Sequence, residues 1–205
     1  MQNYDFLGSV TFILIAVNVV VSLLALYWNP NIIDKGFLKP YRVVRENTWY
    51  ELLTSGFLHA NFTHLFINMF TLYFFGQVME RVIGPTYFAG LFLSGLIVSG
   101  IPSLIKYRDN PNYATLGASG AVGSVLFAFI LLFPLESIYL FLIPVPIPAF
   151  VFGILYLIYS MYESKKDVGK INHEAHTAGS IWGMLYLLIF VPNTVDHILT
   201  VFGLL

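Results

Sequence analysis

The chain has 205 residues, a formal net charge of −1 and no cysteine; 58% of its residues are hydrophobic and 10% are charged. Soluble domains usually carry about a quarter charged residues, so this low charge and a mean hydropathy of +0.77 favour a membrane protein. The lack of cysteine excludes thiolate catalysis, disulfides and cysteine-based metal sites, and the near-neutral charge gives no reason to expect a nucleic-acid partner.

Six long stretches of the chain contain no Asp, Glu, Lys or Arg. They cover residues 7–28, 52–79, 82–105, 110–135, 137–162 and 175–195. Each is long enough for a membrane-spanning helix, which needs about 20 residues, and they are too long and continuous for barrel strands. The pattern predicts an all-α membrane protein with six transmembrane helices, forming a single domain over residues 1–205.

The segments between and after these stretches have their own character. Residues 29–50 mix charged side chains with aliphatic and aromatic ones, which predicts an amphipathic first loop lying partly in the membrane interface. The tail at residues 193–205 is too short for a seventh span and is predicted to lie at the interface. Within the sixth stretch, we expect Leu187 to face lipid.

Polar residues inside apolar spans are costly, so those of the second stretch are candidates for function. His64 and Asn68 are four residues apart and therefore share one face of a helix. Two side-chain donors on one face, opposite a serine, are what an oxyanion hole requires. The alternative is that both side chains form hydrogen bonds between neighbouring helices.

A serine near the start of the fourth stretch is a candidate nucleophile. Ser119 lies between Gly117 and Gly120 and precedes a long apolar run, which predicts a position in the first turn of a helix. Free backbone N–H groups and the helix dipole would favour an oxyanion there. The alternative is helix packing, because Gly117 with Ala121 and Gly120 with Ser124 are pairs of small residues at the spacing that lets helices approach.

The sixth stretch supplies a candidate base. His176 shares its helix face with Gly179 and Gly183, and small residues there would let this helix press against the fourth and bring the imidazole to the Ser119 hydroxyl. A nucleophile and base within the membrane point to an intramembrane serine protease. The alternative is that His176 is an interfacial or capping residue and that the glycines serve ordinary helix packing. We interpret the nearby His173 as such an interfacial or capping residue.

Four motifs together resemble those of the rhomboid intramembrane serine proteases, and the resemblance covers nearly the whole chain. They are His59-x4-His64-x3-Asn68, Gly76-x3-Glu80-x3-Gly84, Gly117-Ala118-Ser119-Gly120 and Ala175-His176-x2-Gly179-x3-Gly183. Each motif alone is loose, but their order and their placement on the spans make the match strong.

The resemblance implies a six-helix rhomboid-like bundle around a water-filled cavity, with Ser119 and His176 as a dyad that has no third, acidic member. It implies an oxyanion hole formed by His64, Asn68 and the backbone N–H of Ser119. It further implies transmembrane proteins as substrates, the lipid bilayer as surroundings, no metal or other cofactor, and a multi-pass position in a prokaryotic cell membrane.

The chain departs from many rhomboids at two positions. Trp49 is followed by Tyr50 where many relatives carry arginine, so that arginine's structural contacts are missing. Gly123 stands four residues after Ser119, where many relatives have an aromatic residue stacked on the histidine. The imidazole of His176 must therefore be held in another way.

Other functions remain open. An inactive rhomboid-like protein that binds membrane helices needs only the fold, and a transporter needs no nucleophile. A metal site formed by His59, His64 and His176 is possible, although the spans contain no carboxylate to complete it. The zinc-protease pattern His-Glu-x-x-His is excluded by the spacing at residues 173–176, and paired aspartates for an aspartyl protease are absent from the spans.

Overall fold

A computed structural model describes residues 6–140, 143–164 and 172–204. This part of the chain is mostly helical, with one two-stranded hairpin. In chain order, the elements are α1 (Val10–Leu23), α2 (Asn31–Gly36), α3 (Pro40–Glu46), α4 (Glu51–Thr54), α5 (Phe62–Thr71), α6 (Gln77–Ile83), α7 (Pro85–Tyr107), α8 (Ser119–Leu132), β1 (Ser137–Leu140), β2 (Ile143–Pro148), α9 (Ala149–Glu163), α10 (His173–Phe190) and α11 (Thr194–Val201). The π-helical turns Leu24–Trp28 and Leu72–Gly76 follow α1 and α5.

The described residues contain two helices long and apolar enough to cross a membrane, Val10–Trp28 and Pro85–Tyr107. A third is obtained if α10 and α11, which meet at a bend of 110°, count as one span. α8 and α9 are apolar but shorter, at 14 and 15 residues. The six-span bundle is therefore not confirmed and stays a prediction, although each of the six charge-free stretches contains a helix.

The predicted fifth span, residues 137–162, is helical only in its second half. β1 and β2 form an antiparallel hairpin in which Ile138 lies opposite Ile147, and α9 begins only at Ala149. β2 carries prolines at three alternating positions, the last being Pro148. Proline lacks a backbone N–H and biases the preceding residue away from the helical conformation. The all-α prediction is therefore wrong for this segment.

α8 packs against both α7 and α10, which also contact each other, and its apolar residues form part of the main core. Phe88 and Phe92 of α7 and Leu187 of α10 are fully buried there. The expectation that Leu187 faces lipid is therefore wrong. Leu187 follows Gly183 and Gly179 at intervals of four residues, so all three share the helix face that is turned towards α8.

The first loop folds into the short helices α2 and α3 and turns apolar side chains inward. Leu38 and Val43 are buried beside Leu52, where they pack against α7. Trp49 and Tyr50 are instead more than half exposed. The loop thus has a buried apolar side and exposes two aromatic residues, and its predicted position at the membrane interface stays a prediction.

A buried carboxylate fastens this loop to the start of the second charge-free stretch. Glu51 is fully buried, accepts a hydrogen bond from the backbone N–H of Lys39 at 2.9 Å, and forms an ion pair with Arg42. Arg42 also donates to the carbonyl oxygen of Asp34 at 3.0 Å. Arg42 of α3 is therefore the arginine that pairs with a carboxylate in this loop. The position after Trp49, where many rhomboids carry arginine, is Tyr50.

The motif at the end of the second stretch joins two helices. A side chain at Gly76 would meet Thr11 of α1 at 3.0 Å, so glycine allows close contact there. One turn later, the buried Glu80 carboxylate accepts hydrogen bonds from the backbone N–H groups of Val10 and Thr11, each at 2.8 Å, and from the Thr11 hydroxyl at 2.6 Å. Glu80 thereby satisfies N–H groups that have no partner inside α1.

This arrangement predicts that Glu80→Gln destabilises the protein although it preserves the size of the side chain. The neutral amide has one acceptor oxygen instead of two, and hydrogen bonds to charged groups contribute about 1.5–3 kcal/mol. We expect a lower melting temperature in detergent micelles. The exposed Glu136 provides a matched control as Glu136→Gln. Equal melting temperatures for the two variants would contradict the role of Glu80 at α1.

Candidate active site

Ser119 is the first residue of α8, and a sharply turned segment leads into it. Gly117 has a φ of +127°, a conformation that favours glycine. Its N–H donates to the Ser55 carbonyl oxygen at 2.9 Å, and Thr115 pairs with Leu38 of the first loop through two backbone hydrogen bonds. These contacts fix the turn, so the helix begins at Ser119 and the preceding residues 110–118 of the predicted fourth span form a connection.

Ser119 and His176 lie in hydrogen-bond contact across two helices. The distance from the Ser119 Oγ to the His176 Nε2 is 2.7 Å. His176 lies in the first turn of α10, so both side chains are at the same end of their helices. The contact orients the hydroxyl towards a ring nitrogen that can accept its proton.

The closeness of α8 and α10 depends on glycine. A side chain at Gly179 would collide with the backbone of Gly120, and one at Gly183 would collide with the backbone of Ser124. The Ser124 hydroxyl lies 2.8 Å from the Gly179 carbonyl oxygen, which adds a hydrogen bond between the helices. These are the contacts by which small residues hold helices together in lipid.

Gly117 and Gly120, the other two glycines that the sequence predicted to serve helix packing, have different neighbours. A side chain at Gly120 would collide with Ser99, so Gly120 lets α7 approach α8 on its other face. Gly117 lies before the helix, and a Cβ there would be 2.9 Å from the Nε2 atom of His64. Gly117 therefore makes room for the His64 ring beside the chain that leads to Ser119, and it is not part of a helix–helix contact.

His64 and Asn68 share the cavity that contains the Ser119–His176 pair. Its volume is about 560 Å³, and its lining includes all four side chains. One N–H of the Asn68 amide is used in a hydrogen bond to the His64 carbonyl oxygen at 2.9 Å. The first-turn N–H groups of α8 lie at the same site as Ser119 and have no partner within the helix. These polar groups and the Ser119 hydroxyl therefore line the same cavity.

The described residues offer the imidazole of His176 no acidic partner. Within residues 6–140, 143–164 and 172–204, no hydrogen-bond acceptor contacts its Nδ1 atom. The ring therefore lacks the carboxylate that orients the histidine in a Ser-His-Asp triad. Among the described residues, the groups that can orient the ring are those packed against it.

Potential metal ligands do not cluster within residues 6–140, 143–164 and 172–204. No group of three or more His, Asp or Glu side chains in this part of the chain has the geometry to hold a metal ion. His59 is fully buried with its Nδ1 2.9 Å from the Ser22 hydroxyl, and its ring contacts that of His64 edge-on at 5.0 Å. The three-histidine interpretation thus finds no support in the arrangement of the side chains.

Asn172 lines the same cavity, and the sequence interpretation missed it. Its side-chain oxygen accepts from the Ala175 N–H at 3.1 Å and so caps α10, while its amide nitrogen donates to Ser103 at 2.7 Å and to Tyr113 at 3.1 Å. It thereby connects α7, the segment before Ser119 and the helix of His176. The available signal was an asparagine, a preferred N-cap residue, directly before the sixth stretch.

Comparison with known protein families identifies the group to which this arrangement belongs. The rhomboid domain matches residues 46–193, which include Ser119, His176, His64 and Asn68. The chain belongs to the rhomboid family. It is accordingly an integral membrane protein, and its rhomboid domain contains the cavity described above.

Three relatives illustrate the match. Mitochondrial rhomboid protein 1 of Saccharomyces cerevisiae is 32% identical over 157 residues, 73% of this chain and 45% of the relative. Mitochondrial RHOMBOID-like protein 12 of Arabidopsis thaliana is 30% identical over 146 residues, covering 64% and 43%. YdcA of Bacillus subtilis, named as a candidate rhomboid protease, is 30% identical over 100 residues, covering 49% and 44%. The matches thus span less than half the length of these relatives.

The helix contact predicts that Gly179→Val separates Ser119 from His176. Overpacking a tight site costs about 1–3 kcal/mol, and a displacement of about 1 Å at a reacting pair can cost a hundredfold in rate. We expect a protein that inserts and folds but loses most labelling of Ser119 by a fluorophosphonate probe.

The control for this variant is Ile189→Val, which changes an exposed residue of the same helix and should leave labelling unchanged. Full labelling of Gly179→Val would mean that the backbone contact between α8 and α10 does not set the geometry of the site.

Proposed function

We propose that this rhomboid is an intramembrane serine endopeptidase that cleaves transmembrane segments with a Ser119–His176 dyad. The observation that carries the proposal is the 2.7 Å contact between the Ser119 Oγ and the His176 Nε2. The shared cavity with His64 and Asn68 adds support, as does membership of a family that includes a relative named as a candidate protease.

The reaction begins with proton transfer between the two residues. The neutral imidazole accepts the hydroxyl proton of Ser119 on Nε2, while the oxygen attacks the carbonyl carbon of a substrate peptide bond. His176 then returns the proton to the departing amine as the C–N bond breaks, which leaves an acyl ester on Ser119. Water, deprotonated by His176, hydrolyses this ester and releases the second product.

The negative charge of the tetrahedral intermediate needs hydrogen-bond donors. In our proposal these are the side chains of His64 and Asn68 together with the backbone N–H of Ser119, whose position at the start of α8 adds the positive end of the helix dipole. Loss of one such donor typically lowers the rate about a hundred- to a thousandfold.

The substrate must expose a peptide bond to this site. A transmembrane helix hides its peptide groups in internal hydrogen bonds, so the segment has to unwind before Ser119 can attack. Substrates should therefore carry small or helix-breaking residues near the cleavage point. The partners in this proposal are transmembrane proteins and the lipid bilayer, without nucleic acid, metal or other cofactor, and the working unit is one domain over residues 1–205.

The relatives come from different membrane compartments. The yeast and Arabidopsis relatives are named as mitochondrial proteins, whereas the Bacillus relative is bacterial. The expectation of a prokaryotic cell membrane therefore draws no support from the organellar relatives and stays a prediction.

The dyad predicts that Ser119→Ala and His176→Ala each abolish cleavage of a reconstituted transmembrane substrate without loss of fold. The double variant should be no worse than either single variant, because the two residues act as a unit. The readouts are substrate cleavage and fluorophosphonate labelling, with melting temperature as the control for folding. Normal turnover by either single variant would refute the proposal that the protein is a serine protease. A wild-type protein that binds transmembrane helices but is neither active nor labelled would favour the inactive helix-binding alternative.

The proposed chemistry also predicts that metal chelation has no effect. Cleavage measured after treatment with EDTA or phenanthroline should equal that of untreated protein, because no step uses a metal ion. The control is a zinc metalloprotease treated in parallel, which should lose activity. Strong inhibition of this rhomboid that added zinc reverses would support the histidine metal site instead.

A further inference from the structure

Within the described residues, the imidazole of His176 makes one hydrogen bond, the contact of its Nε2 with Ser119. The residue of α8 that faces its backbone is Gly123, where a Cβ would lie 3.7 Å from the His176 carbonyl oxygen and 3.5 Å from the Ser180 hydroxyl. No side chain of α8 extends from this position towards the ring. A single hydrogen bond leaves the ring free to rotate about its axis, so another contact must fix its plane.

Such a contact comes from the same helix. The His173 ring lies edge-to-face against His176, with centroids 6.0 Å apart and an interplanar angle of 68°. The Tyr159 ring of α9 in turn contacts the His173 ring, with centroids 5.7 Å apart and an interplanar angle of 86°. Both separations fall within the range of about 4.5–7 Å in which aromatic rings attract in this geometry. Three rings thus form a chain that runs from α9 to the dyad.

Hydrogen bonds keep this chain in place. The hydroxyl of Ser160, buried on α9, donates to the His173 carbonyl oxygen at 3.1 Å and accepts a hydrogen bond from Thr177 at 3.1 Å. Ser160 follows Tyr159 directly, so the ring contact and the hydrogen bonds join the same turn of α9 to the first turn of α10. The position of His173 is therefore set by α9 as well as by its own helix.

We propose that Tyr159 and His173 are positioning residues that orient the imidazole of His176 towards Ser119. The inference rests on the proposed protease function. It adds the groups that hold the His176 ring in place of an acidic residue or an aromatic side chain of α8. It also makes α9 part of the active-site support, although α9 contributes no reacting group.

The first test compares two substitutions of His173. His173→Ala removes the ring and should lower kcat about tenfold to a hundredfold, because small displacements at a reacting pair are costly. KM should change less than twofold, since His173 does not line the cavity that contains Ser119. His173→Phe keeps a ring at this position and should retain kcat within about threefold. Tyr159→Ala and Tyr159→Phe should follow the same order with smaller effects.

A matched control on α9 is Ile158→Ala, which removes an exposed side chain next to Tyr159 and should leave kcat unchanged. Melting temperatures of all variants separate orientation from stability. If His173→Ala lowers kcat only in proportion to a loss of folded protein, or if His173→Phe is as slow as His173→Ala, the positioning role is wrong.

The second test restores a ring from the opposite helix. A Cβ at Gly123 meets its neighbours only at ordinary contact distances, so Gly123→Phe can be accommodated at its first carbon. We expect this substitution to raise the kcat of His173→Ala at least fivefold while leaving KM unchanged. A folded double variant with no gain in kcat, or a wild-type kcat in His173→Ala alone, would overturn the inference.

Failure of the inference and failure of the proposed function give different results. A wild-type protein that cleaves and is labelled, together with an unaffected His173→Ala variant, refutes only the positioning role. A wild-type protein that shows neither cleavage nor labelling refutes the protease and, with it, the inference.

Discussion

The close approach of α8 and α10 is the constraint on which the rest of the site depends. Because Gly179 has no side chain, its Cα lies against the backbone of Gly120, and the Ser124 hydroxyl joins the two helices through a hydrogen bond to the Gly179 carbonyl oxygen. In lipid there is no hydrophobic force between helices, so small residues and interhelical hydrogen bonds must hold them. The contact between Ser119 and His176 lies about one helical turn from the Gly179–Gly120 contact, so the distance between the two helices sets the distance between the two side chains.

Two buried carboxylates and one partly buried amide arrange the other elements around this pair, and each accepts a hydrogen bond from at least one backbone N–H group. Glu80 binds the start of α1, Glu51 binds the first loop at Lys39, and Asn172 caps α10. An unpaired polar group in an apolar medium is costly in free energy, so breaking any of these hydrogen bonds would destabilise the fold. Loops and helix ends that have little apolar surface of their own are thereby fixed beside the cavity.

Much of this arrangement could be predicted from the sequence because it depends on local patterns. Charge-free stretches indicated where helices lie, the small residues around Ser119 indicated a helix start, and the three-residue spacing put Gly179 and His176 on nearly the same face of one helix. The pairing of β1 with β2 was missed because low charge does not distinguish a strand from a helix, although the prolines of β2 were a usable signal.

The sequence by itself determined the apolar helical character of the chain, its membership of the rhomboid family and the identity of the candidate nucleophile and base. Only the tertiary structure decided that Leu187 is buried, that Asn172 joins three segments, and that His173 and Tyr159 form a ring chain to the dyad. The physical reason is separation along the chain: the contact between Ser119 and His176 joins residues 57 positions apart. Helical periodicity acts over a few residues, whereas such distances are set by how whole helices pack.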